Sequence, residues 1–157
     1  MPIKVGDPAP DFTALCTEGH RLSLADFRGR KLVLYFYPMD NTRGCTAQAC
    51  SLRDHSREIE ASGAAVVGVS AQDRLSHQRF SERYALNFPL LDDSDRRIAQ
   101  SYGAMGSGLS GLLRSLLGLA RRITFIIDEK GRIAHILDRP DCPNHAEEVL
   151  RLLRGSA

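Results

Sequence analysis

The string Lys31-Leu32-Val33-Leu34-Tyr35-Phe36-Tyr37, ended by Pro38, restricts the possible folds of this chain more than any other segment. An unbroken apolar, β-favouring run has no polar side to turn to water, so it reads as a strand buried on both faces at the centre of a sheet. A second such run, Ala64-Ala65-Val66-Val67-Gly68-Val69-Ser70, lies further on. Between them, from Thr42 to about Glu60, there is no proline and no glycine except Gly44, and Ser62-Gly63 supplies a stop. The spacing predicts one long helix there. Strand, helix and strand in that order imply a right-handed crossover and a parallel pair covered by helices.

The rest of the chain extends this plan. Pro2, Pro8 and Pro10 mark an irregular start, followed by an alternating stretch from Phe12 to Cys16, a Glu18-Gly19 turn and Leu22-Ser23-Leu24, together a hairpin. Asp73 suits the N-cap of a helix through Tyr84 with Leu75, Phe80 and Tyr84 facing inward. Phe88 to Leu91 reads as a short strand and Ser94 to Tyr102 as a short helix. Arg121 to Asp128, the turn Glu129-Lys130-Gly131, and Arg132 to Leu137 form a β-hairpin. Asn144 and Glu147 have the spacing of a reciprocal cap for a last helix through Leu150, Leu152 and Leu153. Leu109, Leu112, Leu113, Leu116 and Leu117 make one apolar stripe of a short helix, expected to pack onto the domain. The order predicts an α/β, thioredoxin-like fold: a central mixed β-sheet flanked by helices on both faces, in a single domain over residues 1–157.

Charge and cysteine usage narrow the chemistry. Lys and Arg total 21 against 19 Asp and Glu, and the basic residues are dispersed, so nothing asks for nucleic acid. The N-terminus lacks the apolar stretch of a secretory signal, and the leucine stripe is too short and too interrupted to span a bilayer. A cytoplasmic location without membrane contact is expected. In a reducing cytosol, Cys16, Cys45, Cys50 and Cys142 are catalytic, metal-binding or buried rather than structural disulfides.

Cys45 directly follows the strand, at the predicted first turn of the helix. A thiol there meets unpaired backbone N–H groups and the positive end of the helix dipole, which favour the reactive thiolate. Thr42 offers a hydroxyl within one turn, Pro38 fixes the chain direction, and Gly44 permits close backbone approach. Such a pocket suits a peroxide, whose departing oxygen needs hydrogen-bond donors. A fixed guanidinium would help twice, on the thiolate and on the developing charge.

Pro38, Thr42 and Cys45 match P-x-x-x-T-x-x-C, the peroxiredoxin active-site motif. With Cys45-Thr46-Ala47-Gln48-Ala49-Cys50 and Leu52-Arg53-Asp54, the chain resembles the Q-type peroxiredoxins, also called bacterioferritin comigratory proteins. Gly6 to Phe12, Val67 to Ser70, Asn87 to Leu91 and Arg122 to Asp128 extend the similarity over most of the chain. It departs after Tyr102-Gly103, where Ala104-Met105-Gly106 and the leucine stripe replace an aromatic-Gly and a lysine-containing loop.

The resemblance implies thiol-dependent reduction of hydrogen peroxide and organic hydroperoxides. Cys45 would be the peroxidatic cysteine, Thr42 the hydroxyl orienting peroxide, Pro38 the shield against water and Arg122 the active-site arginine. Arg121 is its competitor, and because strand neighbours point to opposite faces, only one of the two can look at Cys45. Cys50 would resolve the sulfenic acid as a disulfide, which thioredoxin or a similar dithiol reduces, without metal or cofactor. Apart from the resemblance, a monomer is expected rather than a dimer.

Five residues of α-helix put the two Cα atoms roughly 8–9 Å apart, beyond the limit of about 7 Å for a disulfide. The helix must therefore unwind before Cys50 reaches Cys45. A thioredoxin-like disulfide oxidoreductase is the rival enzyme, though it wants C-x-x-C rather than this spacing. A redox-regulated chaperone or sensor role is compatible with the same thiols. A metal half-site of Cys45, Cys50 and His55 is disfavoured because five-residue steps splay side chains around a helix. Cys16 is expected to be a packed thiol and Cys142 a loop thiol, and the five histidines surface or satisfied polar residues.

Overall fold

In a computed structural model, residues 3–105, 112–113, 116 and 119–155 are described. The elements run β1 (Thr13–Leu15), β2 (Arg21–Ser23), β3 (Lys31–Phe36), α1 (Arg43–Asp54), α2 (Ser56–Ala61), β4 (Ala64–Ser70), α3 (Arg74–Arg83), β5 (Leu90–Asp92), α4 (Arg97–Ser101), β6 (Ile123–Ile127), β7 (Ile133–Leu137) and α5 (His145–Arg154). β1 and β2 form a small antiparallel hairpin. The main sheet has the order β5-β4-β3-β6-β7, with β3–β4 and β4–β5 parallel and β3–β6 and β6–β7 antiparallel. This is the mixed, helix-flanked, thioredoxin-like sheet that the element order predicts, and the apolar run 31–37 supplies its central strand.

Alternation along β3 splits the core in two. Leu32, Leu34 and Phe36 join Val67, Val69, Phe125 and Ile127 beneath the β1–β2 hairpin and α4. Val33, Tyr35 and Tyr37 point the other way, toward Leu52 of α1, Ile59 of α2, Phe80 of α3 and Val149 of α5. Gly68 is needed opposite Tyr35. A Cβ there would lie 2.9 Å from Tyr35 Cζ and 2.7 Å from Leu90 Cδ2, so only a bare backbone lets the ring lie across the sheet.

Four local expectations are corrected. The long helix breaks at His55 (φ −110°, ψ 17°), whose Nδ1 lies 2.9 Å from the Ser51 carbonyl oxygen; this side-chain contact competes at the carbonyl four residues back, and a second helix, α2, starts at Ser56. Asp73 does cap α3, accepting from the Ser76 N–H at 2.9 Å, but Leu75 is exposed and His77 is the buried residue of that turn. Asn144 makes no capping bond and its amide donates to Asp141 instead, while Glu147 pairs with His55. Lastly, Leu112, Leu113 and Leu116 are exposed, because Tyr102, Ala104, Met105 and Ala120 already close the adjoining core. Leu109 and Leu117 lie outside the described residues. Among those described, no helix is long and apolar enough to cross a membrane.

Candidate active site

The loop leaving β3 is anchored before it reaches Cys45. Asp40 is buried, its Oδ1 accepting from Tyr37 Oη at 2.7 Å and its Oδ2 from Ser76 Oγ at 2.8 Å, with His77 Nδ1 2.7 Å from that same Oδ2. His77 Nε2 in turn faces the Leu91 carbonyl at 2.8 Å. The Asp40 N–H donates to Gln72 Oε1 at 3.1 Å. Asn41 then takes a left-handed conformation (φ 64°), which its short polar side chain tolerates, and turns the chain into α1.

Thr42 is the extended N-cap of α1, and its carbonyl accepts the first helical bond from the Thr46 N–H at 2.9 Å. Its hydroxyl makes no capping bond and donates to the Met39 carbonyl at 3.1 Å. First-turn N–H groups thus surround Cys45 without a side-chain cap, and Thr42 Oγ keeps lone pairs to accept from a ligand. Cys45 itself is 1 % exposed. Pro38 is half-buried at the strand end.

Arg122 precedes β6 on the same face as Thr124 and Ile126. Its Nη2 donates to Cys45 Sγ at 3.2 Å and its Nη1 to Gln48 Oε1 at 2.7 Å, a two-pronged grip across one turn of α1. Gly44 makes room for it: a Cβ there would sit 3.1 Å from Arg122 Nη2. Arg121 points to the other face, toward Asp138 and the Gly103 carbonyl. Of the residues singled out in the sequence, Cys45 and Arg122 are in direct contact, while Thr42 and Pro38 flank the sulfur along the chain. Cys50 is half-buried further along the intact α1, and all four cysteines are free.

Sequence reasoning did not assign roles to Gln48 or Tyr35. Gln48 is fully buried, with Oε1 held by Arg122 and Nε2 without a partner; its position three residues after Cys45, on the same helix face, is the signal that could have found it. Tyr35 is buried under α1 with an unpartnered hydroxyl, and burial first, then charge at Cys45 and Asp40, holds it well above the ordinary tyrosine value. Behind Arg122, Thr124 Oγ lies 3.0 Å from His145 Nε2, and burial pushes the His145 pKa down against the pull of Glu148.

One group among the described residues brings metal-ligating atoms together: Cys16, Glu18 and His20 at the β1–β2 turn, within 4.8 Å of one another. It sits on the opposite side of the sheet from Cys45. The Arg74 guanidinium, 3.1 Å from where a Gly19 Cβ would stand, puts a positive charge at the same turn and opposes a cation.

What stands at Cys45 is a shielded sulfur in contact with a fixed cation, at the first turn of a helix that no side chain caps. Comparison with known proteins agrees with that chemistry. Residues 5–136 match the AhpC/TSA family. Peroxiredoxin Bcp of Escherichia coli is 38% identical over 160 residues, covering 99% of each chain. The crystal structure of a cysteine-to-serine mutant of PrxQ from Xylella fastidiosa superposes with a TM-score of 0.90 at 28% identity, covering 99% of this chain and 98% of that one. The bacterioferritin comigratory protein of Xanthomonas campestris, described for its alkyl peroxide reduction activity, gives a TM-score of 0.85 at 25% identity, covering 98% and 99%.

Proposed function

Since this chain belongs to the AhpC/TSA family, within its Bcp/PrxQ peroxiredoxins, and is a thiol peroxidase, we propose that Cys45 is its peroxidatic residue and that Arg122, Thr42 and Pro38 serve it. The observation that carries this reading is the Arg122 guanidinium 3.2 Å from a sulfur that solvent barely reaches.

The Cys45 sulfur attacks one peroxide oxygen in line with the O–O bond. The bond breaks, and the departing oxygen takes a proton and leaves as water or an alcohol, with Arg122 and the first-turn N–H groups stabilising its charge. Thr42, its proton committed to Met39, accepts from the peroxide O–H and holds it at the attacking angle. Pro38 screens the sulfur from bulk water. Cys45 is left as sulfenic acid.

Cys50 is the resolving residue in this reading. With α1 intact the two Cα atoms stand roughly 8–9 Å apart, so the first turns of α1 unwind before the Cys45–Cys50 bond forms and water leaves. The absence of a side-chain cap at Thr42 and the glycine at position 44 lower the cost of opening that turn, against the Arg122 bonds to Cys45 and Gln48 that must break. Thioredoxin or a similar dithiol then reduces the disulfide. The chain acts as one domain over 1–157, as a monomer, in the cytoplasm, a reducing compartment that suits four free cysteines.

The test is direct. Cys45→Ser abolishes peroxide consumption in a thioredoxin-coupled assay, and oxidation of the wild-type protein lowers its far-UV helical signal as an internal disulfide forms within tryptic peptide 44–53. Retained turnover in Cys45→Ser would overturn the assignment, and an oxidised Cys45–Cys50 protein with undiminished helix would remove the unwinding step.

A further inference from the structure

The reaction at Cys45 uses two of the four thiols, and a third lies at the same turn. Cys142 begins a 3-10 turn, Cys142–Asn144, that packs against α1 just ahead of α5. Its sulfur is 3.7 Å from the point a Cβ on Gly44 would occupy, and the Arg122 guanidinium is 3.1 Å from that same point. Arg122 therefore has the Cys45 sulfur under one nitrogen and the Cys142 sulfur alongside. The charges of Arg122 and Cys45 are both felt at the Cys142 thiol. Cys142 is free and half-buried, at a position the peroxidase chemistry does not require.

We propose that Cys142 is a second resolving thiol, which captures the Cys45 sulfenic acid while α1 stays folded. This rests on the assignment of Cys45 as the peroxidatic residue.

Two features of the fold distinguish this route from the one through Cys50. Cys45 and Cys50 belong to one rigid helix, so their approach requires broken helical bonds. Cys142 belongs to a different segment, flanked by Pro140 and Pro143, which approaches the Gly44 side of α1 from outside and closes the gap by a shift of the 138–144 loop. Arg122 can donate to the sulfenic oxygen as it departs, the role it has toward the peroxide. In the capture step the Cys142 sulfur attacks the Cys45 sulfur, the S–O bond breaks and the S–S bond forms. The departing hydroxide and the thiol proton of Cys142 make one water, and an external dithiol later returns both thiols.

Burial, and to a smaller degree the neighbouring Cys45 and Asp141, push the Cys142 thiol above the ordinary cysteine value, against the pull of Arg122. A smaller thiolate fraction slows attack by Cys142 at neutral pH and leaves it as a reserve for molecules whose α1 has not opened.

The experiment uses reduced, full-length Cys50→Ser protein with one equivalent of hydrogen peroxide, followed by alkylation in denaturant and non-reducing peptide mapping. Trypsin leaves Cys45 on peptide 44–53 and Cys142 on peptide 133–151, so the bond appears as a cross-link between the two. The expected result is a cross-link holding most of the oxidised Cys45, with far-UV helicity unchanged, and its loss in Cys50→Ser/Cys142→Ser, where dimedone-reactive sulfenic acid accumulates instead. Sulfenic acid accumulating equally in both variants, with Cys142 alkylated throughout, would overturn the proposal. Cys45 remaining fully alkylatable after peroxide would instead refute the peroxidatic assignment. Should Cys50→Ser fold poorly, the same map of oxidised wild-type protein decides: the inter-peptide cross-link must be present beside the bond within peptide 44–53.

Discussion

The two faces of the central sheet share strands yet differ in what they bury. Under the β1–β2 hairpin and α4, β3 and β6 contribute Leu32, Leu34, Phe36, Ile123, Phe125 and Ile127, all apolar and nearly sealed from solvent. Under α1 and α5, the same two strands present Tyr35, Tyr37 and Thr124, and the buried polar residues Asp40, Gln48, Ser51, His77 and His145 gather on that side. Alternation along a strand lets a single segment perform both duties: every second residue stabilises, and the intervening ones hold the loop and the arginine that address Cys45. Stability and reactivity are therefore separable by face, which single substitutions can test.

The largest effect is expected on the apolar face. Phe125 is 1 % exposed and packs edge-on against Phe36 at 5.9 Å and Tyr102 at 5.2 Å between ring centroids. Phe125→Ala costs about 3–5 kcal/mol of stability, read as a lowered urea midpoint. Peroxidase activity per folded molecule stays within about twofold, because nothing on that side touches the sulfur. A folded Phe125→Ala protein without activity would break the separation.

On the other face the effect falls on rate. Arg122→Lys keeps a charge but loses the planar fork that holds Cys45 Sγ and Gln48 Oε1 together. A drop of about 100-fold in kcat/KM for hydrogen peroxide, roughly 2.7 kcal/mol of barrier, is expected. Stability falls by only about 1 kcal/mol, from the buried Gln48 oxygen left without its donor. Stopped-flow oxidation of Cys45 and urea denaturation measure the two separately, and a variant that reacts at the wild-type rate would remove Arg122 from the chemistry.

The sequence carried the apolar frame more openly than the polar one, for a physical reason. Strands β3, β4 and β6 announce themselves as near-continuous apolar runs because burial on both faces keeps polar residues largely out of their interiors. The pairing of Arg122 rather than Arg121 with Cys45 was also legible, since strand parity lets only one of them face the sulfur and the motif selects Arg122. Contacts made by single side chains across the fold were not. Leu75 is the apolar choice for the inner face of α3, yet His77 lies inside because Asp40, thirty-seven residues earlier, reaches its Nδ1. The helix break at His55 depends on one side-chain contact to Ser51, and no spacing rule reports it. Cys142 stands beside Gly44 through the packing of a 3-10 turn, a proximity that linear separation conceals.

The smallest predicted effect probes Asp93, among the described residues the one carboxylate buried on the apolar side. Asp93 accepts from the Ile98 N–H at 3.0 Å and the Ala99 N–H at 2.9 Å, tying down the start of α4 after Arg96 turns through a left-handed conformation. Burial raises its pKa to about 6 from an ordinary 3.8, with the two N–H donors opposing and Asp95 and Asp92 adding to the rise. Below the ordinary value both folded and unfolded chains hold the proton, and the contribution to stability is fully present. Between about 4 and 6 the unfolded chain has released its proton while the folded one keeps it, so stability falls as pH rises, then levels off once the folded carboxyl ionises. Asp93→Asn has no such proton, though it retains one acceptor for α4. Relative to the variant, the wild-type protein should therefore lose stability across that window, on the order of 1–2 kcal/mol after screening. Urea midpoints of the pair measured in parallel at several pH values decide the matter. Curves that run parallel through the window would mean the two helix amides, not burial, govern Asp93. Per-molecule peroxidase activity, set on the opposite face, should be the same in both proteins at every pH.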